Sequence, residues 1–131
     1  IRLKLAKISS EAKGWRMIAA KKGKEAVSHW ERVQELGQRS VIRFTPETGR
    51  THQIRVHAAH IGHALIGDPT YGGRRRLAAD TPGADVVKAF ARQALHAETL
   101  GFEHPVTKGN LSFTTPPPAD MQALSAALKG M

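Results

Sequence analysis

Between Thr45 and Gly73 the chain reads TPETGRTHQIRVHAAHIGHALIGDPTYGG, the stretch whose residue types are most suited to chemistry. It holds Arg50 and Arg55, the single tyrosine, Tyr71, the carboxylate of Asp68, and four of the seven histidines, His52, His57, His60 and His63. An arginine withdrawn from water needs an anionic partner, because an unpaired buried charge is very costly, and Arg55 sits where a helix would half-bury it. Four histidines within twelve residues invite a metal site. Against that, no cysteine or nearby acidic residue completes a ligand set, and there is no HExxH word with its general-base glutamate, so no metal residue is assigned. Asp68 precedes Pro69, a turn-initiating pair, so a side chain bonding its own turn is at least as natural a reading as a binding role.

The elements that must position these groups follow from local chemistry. Pro46, Thr48 and Gly49 make a turn. Thr51 is a fair N-cap for a helix from His52 to Ile61, with Ile54, Ala58 and Ile61 on one face and Gly62 as the C′ residue. Upstream, Ile1, Leu3 and Leu5 alternate with polar residues as a half-buried strand does; a turn near Ser9 to Gly14 leads to a second apolar run, Trp15, Met17 and Ile18. The basic stretch AKKGKE from Ala20 to Glu25 reads as a solvated loop or a phosphate contact. Val27, Trp30, Val33 and Leu36 recur at helical spacing, whereas Val41, Ile42 and Phe44 are strand formers.

Downstream, Ala64 to Ile66 is a short apolar run closing at Gly67, Asp68 and Pro69. Residues 72–85 have loop composition, headed by Arg74, Arg75 and Arg76, either a basic loop that touches phosphates or a plain solvated charge run. Val86, Val87, Phe90 and Ala91 fit a short helix. Leu95 to Phe102 is strand-like, His104 to Gly109 a hairpin loop, and Leu111 with Phe113 a returning strand stopped by Pro116, Pro117 and Pro118. Asp120 caps a last helix with Met121, Leu124 and Leu128 as its apolar stripe. No repeat and no linker divides the chain.

Length and composition bound the function. At 131 residues with 40% hydrophobic content, one domain with a real core is expected. Twenty Lys and Arg against 11 Asp and Glu give a formal charge of +9, which fits a polyanionic partner as well as a merely soluble basic surface. There is no membrane-length apolar run and no signal-peptide pattern, so a cytoplasmic protein is the simplest reading. GxGxxG and GxxxxGK[ST] phosphate cradles are absent, which disfavours nucleotide cofactors, and no GxSxG elbow supports a serine hydrolase.

The word GRTHQIRVHAAHIGHALIGDPTYG resembles the third sequence motif of the RluA-type pseudouridine synthases, the branch that includes the large-ribosomal-subunit enzymes. RQALHAETLGFEHPVTKG, at 92–109, resembles their following block, and GKEAVSHWERVQELGQRSVIRFTPETGRTHQIR the run before it, so the resemblance covers nearly the whole chain. It implies an α+β fold with a mixed, mainly antiparallel sheet and a few helices, and it favours a hairpin over a helix for residues 26–45, turning at Leu36 to Gln38. It implies isomerisation of uridine to pseudouridine in RNA, in which the N1–C1′ bond breaks and the base reattaches through C5, with no cofactor. Arg55 matches the family arginine that pairs with the nucleophilic aspartate; Leu95 matches an apolar residue of the uracil pocket. The family words that carry that aspartate, GRLDxxTSG-like, and the active-site tyrosine do not occur here; Asp68 and Tyr71 belong to a different word.

The expectation is therefore that residues 1–131 are the C-terminal portion of a pseudouridine synthase catalytic domain, inactive alone. Its partners would be RNA, 23S-type ribosomal RNA ahead of transfer RNA, and the missing N-terminal half, whose absence leaves apolar surface open to self-association. Arg55 would sit against a carboxylate that this chain does not contain. Arg50, Thr51 and His52 at the helix start, with Arg74, Arg75 and Arg76, would grip phosphates. The alternative from another class is a non-catalytic RNA-binding module. Replacing Arg74, Arg75 and Arg76 together should weaken RNA binding and flatten its salt dependence; an unchanged slope of log Kd against log salt rules that loop out.

Overall fold

A computed structural model describes residues 1–10, 14–36, 39–72, 84–90, 92–103 and 105–128. The strands are β1 (Leu5–Ser10), β2 (Gly14–Ala19), β3 (Ser28–Leu36), β4 (Arg39–Pro46), β5 (Thr99–Glu103) and β6 (Asn110–Thr114); the helices are α1 (Gln53–His60), α2 (Ala84–Ala89) and α3 (Ala119–Leu128). The class is α+β, and the described strands pair as three antiparallel hairpins, β1 with β2, β3 with β4 and β5 with β6.

The strand expected from Ile1 begins at Leu5, but the residues before it are not free. Leu3 N–H donates to the Ala26 carbonyl at 3.0 Å, and Leu5 and Lys24 exchange backbone bonds at 2.9 and 2.8 Å. The start of the chain thus runs antiparallel beside residues 24–28, with Arg2 bridging Val27.

Residues 28–46 form the hairpin that the resemblance favoured. Its register places Ser28 opposite Pro46 and Arg32 opposite Ile42, then shifts so that Gln34 faces Val41. Val33 is the inserted residue of a bulge. Val27 and Leu36 are buried while Trp30 and Val33 are half-exposed, so the three-residue spacing marks no single apolar face. Residues 37–38 of the expected turn, Ala91, and the loop with Arg74, Arg75 and Arg76 lie outside the described residues.

Two apolar clusters hold the elements. Leu5, Met17, Ala26, Val56 and Tyr71 gather where the first hairpin meets α1. Leu36, Leu124 and Leu128 gather around α3, flanked by Ile66, Val87, Phe90 and Ala94. Met121 is only half-buried, so two leucines rather than three residues form the buried stripe. Asp120 lies inside the first turn of α3 rather than before it; its carboxylate accepts the Met121 N–H and a two-pronged pair from Arg92 at 3.0 and 2.9 Å. Leu5 is 1% exposed and Trp30 is 52% exposed. Leu5→Ala should therefore cost about 2–5 kcal/mol, seen as a lower urea midpoint at unchanged slope, while Trp30→Ala should cost less than about 1 kcal/mol.

Candidate functional site

Helix α1 is short and polar, and its buried face is not the apolar stripe expected from Ile54, Ala58 and Ile61. Ile61 is 41% exposed, while Gln53, Arg55, Val56, His57 and Ala58 are buried. Three polar side chains go inside because each finds partners on neighbouring segments. Gln53 Oε1 accepts the Thr48 hydroxyl and the Arg50 N–H, and its amide nitrogen donates to the Val27 carbonyl and to Ser28 Oγ, both at 2.9 Å. Thr48 Oγ1 in turn accepts the Val27 N–H at 3.0 Å.

His57 is wholly buried and continues this chain of bonds. Its Nε2 lies 2.9 Å from the Leu3 carbonyl, which can only accept, so Nε2 carries the proton. Nδ1 then accepts the Ser28 hydroxyl at 2.9 Å. Burial pushes its pKa down, against the pull of the Leu3 carbonyl, and the neutral ring satisfies both bonds. With both ring nitrogens engaged, His57 is a packing residue.

The ends of α1 differ in quality. At the C-terminus Gly62 sits at φ +85°, with its N–H on the Ala59 carbonyl and His63 N–H on that of Ala58, the paired bonds of a Schellman cap. At the N-terminus the capping position is His52 rather than Thr51, in left-handed conformation at φ 54° and with no side-chain cap bond. The His52 ring is used elsewhere. Its Nδ1 is 2.9 Å from the Tyr71 hydroxyl, which accepts the Met17 N–H, and it stacks on Trp15 at 5.1 Å. Burial, then the nearby Arg55 and Lys7, lower its pKa despite the pull of Asp68.

Arg55 has a partner within this chain, contrary to expectation. Its Nε donates to Asp68 Oδ2 at 2.9 Å and its Nη2 to Oδ1 at 2.8 Å, a side-on fork with side chains 10% and 0% exposed. Asp68 Oδ1 also accepts the Thr70 and Tyr71 N–H groups at 3.0 Å, so the anticipated bond to its own turn is present as well. Burial alone would raise the Asp68 pKa; the Arg55 bond and the two backbone N–H groups outweigh it and leave the carboxyl below its usual range. The same bond raises Arg55 further against the cost of burial. Asp68 is the only acid between Glu47 and Asp80, so the demand of a buried arginine for an anion, applied to this segment, would have found it.

A cleft of about 360 Å³ opens at the start of α1, lined among others by Arg50, His52, Ile54, Arg55, Gln93 and Leu95. It brings together four of the residues singled out in the sequence, Arg50, His52, Arg55 and Leu95, from words far apart in the chain. Thr51 is exposed and outside that lining. Gln93 had drawn no attention, since nothing but the fold carries it to the cleft.

The family model for RNA pseudouridylate synthase matches residues 3–60. Ribosomal large subunit pseudouridine synthase D of Vibrio parahaemolyticus is 46% identical over 115 residues, 86% of this chain and 35% of that protein. The protein of the same name from Haemophilus ducreyi is 46% identical over 109 residues, 82% of this chain and 34% of that protein. An uncharacterized RNA pseudouridine synthase of Chlorobaculum parvum is 45% identical over 105 residues, covering 76% and 32%. This chain belongs to the RNA pseudouridylate synthase family, in its RluA/RluD branch. It spans about a third of the length of these curated relatives.

The buried neutral His57 makes stability depend on pH. Its folded pKa lies below the ordinary 6.5, so its contribution is complete above pH 6.5 and is lost as pH falls from there toward the depressed value. The melting temperature should fall as pH is lowered from 7 to 5, and the non-titrating His57→Asn variant should show a shallower fall. A slope identical in the two proteins would contradict the neutral, buried state.

Proposed function

We propose that this chain is the C-terminal portion of the catalytic domain of a pseudouridine synthase that isomerises uridine in structured, 23S-type ribosomal RNA, and that the portion alone is inactive. The observation that carries this reading is the convergence of Arg55 and Leu95, two words of the family motif, in one cleft with Arg50 and His52. The names of the relatives, ribosomal large subunit pseudouridine synthases, support ribosomal RNA as the substrate. Half-exposed apolar side chains on the first two hairpins, Ile8, Trp15, Trp30 and Val33, support a surface that the preceding portion of the domain covers and that promotes self-association without it. Cytoplasmic localisation follows from such a substrate.

In this reading the target uridine leaves its stack, since a folded RNA hides C1′ and C5, and enters the cleft. Arg50 and His52 line it at the helix start, where a basic element favours phosphate, and the exposed Thr51 between them adds a hydroxyl to that grip. Leu95 offers an apolar wall for the uracil ring. The nucleophilic carboxylate comes from the preceding portion and would tend to take up a proton once desolvated beside the sugar; the guanidinium of Arg55 keeps it ionised. The N1–C1′ bond breaks, the base turns, and C5 joins C1′. C5 then loses its proton and N1 gains one, so no oxidant, reductant or cofactor is needed.

Release of tritium from C5-labelled uridine in ribosomal RNA by the complete protein tests the activity, and no release refutes it. Arg55→Ala should lower turnover by about a hundredfold or more while RNA affinity stays within about threefold. Turnover equal to the wild type refutes the role assigned to Arg55.

A further inference from the structure

The pairing of Arg55 leaves part of its guanidinium uncommitted. Of its five N–H donors, the Nε and one Nη2 hydrogen are held by Asp68. Nη1 bonds none of the described side chains or backbone groups, and Arg55 lines the cleft. The end-on edge, Nη1 with the second Nη2 hydrogen, is therefore the edge available to a second carboxylate.

Asp68 itself cannot swing. Its Oδ1 accepts the Thr70 and Tyr71 N–H groups in addition to Nη2, and the Tyr71 ring lies 5.0 Å from the guanidinium carbon. Tyr71 is in turn tied by its hydroxyl to Met17 and His52. The turn is also clamped from the other side. Gly67 has φ +76°, and a Cβ there would stand 2.1 Å from the Arg92 carbonyl, at the root of the segment that carries Gln93 and Leu95 into the cleft wall.

We propose that Asp68 is a positioning residue for the reaction assigned above: its fixed carboxylate grips one edge of Arg55 and aims the other edge into the cleft, at the nucleophilic carboxylate. This rests on the reading of the chain as part of a pseudouridine synthase. Without Asp68 the arginine keeps its charge but has no fixed orientation, so the loss should fall on the chemical step rather than on RNA capture.

The test compares Asp68→Asn, Arg55→Ala and the double variant in the complete protein, by C5 tritium release in single turnover at saturating RNA, with RNA Kd measured alongside. Asp68→Asn should slow the single-turnover rate by about tenfold or more, leave Kd within about twofold of the wild type, and have no further effect in the Arg55→Ala background. A wild-type rate in Asp68→Asn, or the same fold-loss with and without Arg55, overturns the positioning role and leaves the proposed function standing. Absence of release from the wild-type protein instead overturns that function. If Asp68→Asn does not fold, Asp68→Glu serves: it keeps the negative charge but shifts the fork by one methylene. A rate loss seen only when Arg55 is present supports the role, and a wild-type rate overturns it.

Discussion

The buried fork between Arg55 and Asp68 is the constraint on which the centre of this chain depends. Neither charge can remain inside alone; removing one partner of such a pair typically costs about 3–5 kcal/mol. The pair therefore dictates the course of residues 64–72, which contain no helix or strand. With Asp68 obliged to reach the helix, its spare lone pairs organise the turn that follows, and Tyr71 is delivered against both Met17 and the guanidinium. A segment without regular secondary structure is thus specified by charge satisfaction.

The same logic explains how eight residues of α1 hold a site. A helix this short has little stability of its own. It is fixed by Gln53, which draws on the turn before it and on the start of β3, and by His57, which reaches Ser28 and Leu3. Among the described residues no buried side-chain nitrogen or oxygen lacks a partner. Directional bonds of this kind tolerate less sliding than an apolar stripe would, which suits an element that must present Arg50, His52 and Arg55 at one opening.

Much of the fold was legible because the signals were local. Gly62 stops α1 where its freedom at positive φ predicts, proline clusters end β6, and the short helix at Val86 and Val87 lies where expected. Two features were hidden for identifiable reasons. Apolar residues at 27, 30, 33 and 36 lend β3 a helix-like period although Trp30 and Val33 are half-exposed, and only the family words and the strand formers Val41, Ile42 and Phe44 spoke for the hairpin. The inward face of α1 is largely polar, and periodicity counts only apolar residues, so Ile61 was placed on the buried face and Gln53 on none. At the site, Arg55, Arg50, His52 and Leu95 were visible as words. That Asp68 completes the arginine could have been read from its being the only acid of that segment, whereas Gln93 joins the cleft only because chain paths meet in space.

Arg92 links the cleft wall to the last described helix. Its guanidinium grips Asp120 on α3 and also donates to the carbonyls of Gln93 and Leu95, while the Ala94 N–H is held by Ile66. One side chain thus pins the wall of the opening and moors the terminal helix. The moorings differ in kind: the ion pair to Asp120 is half-exposed and so weakens as salt rises, while the bonds to the backbone of the wall carry no such dependence on a second charge.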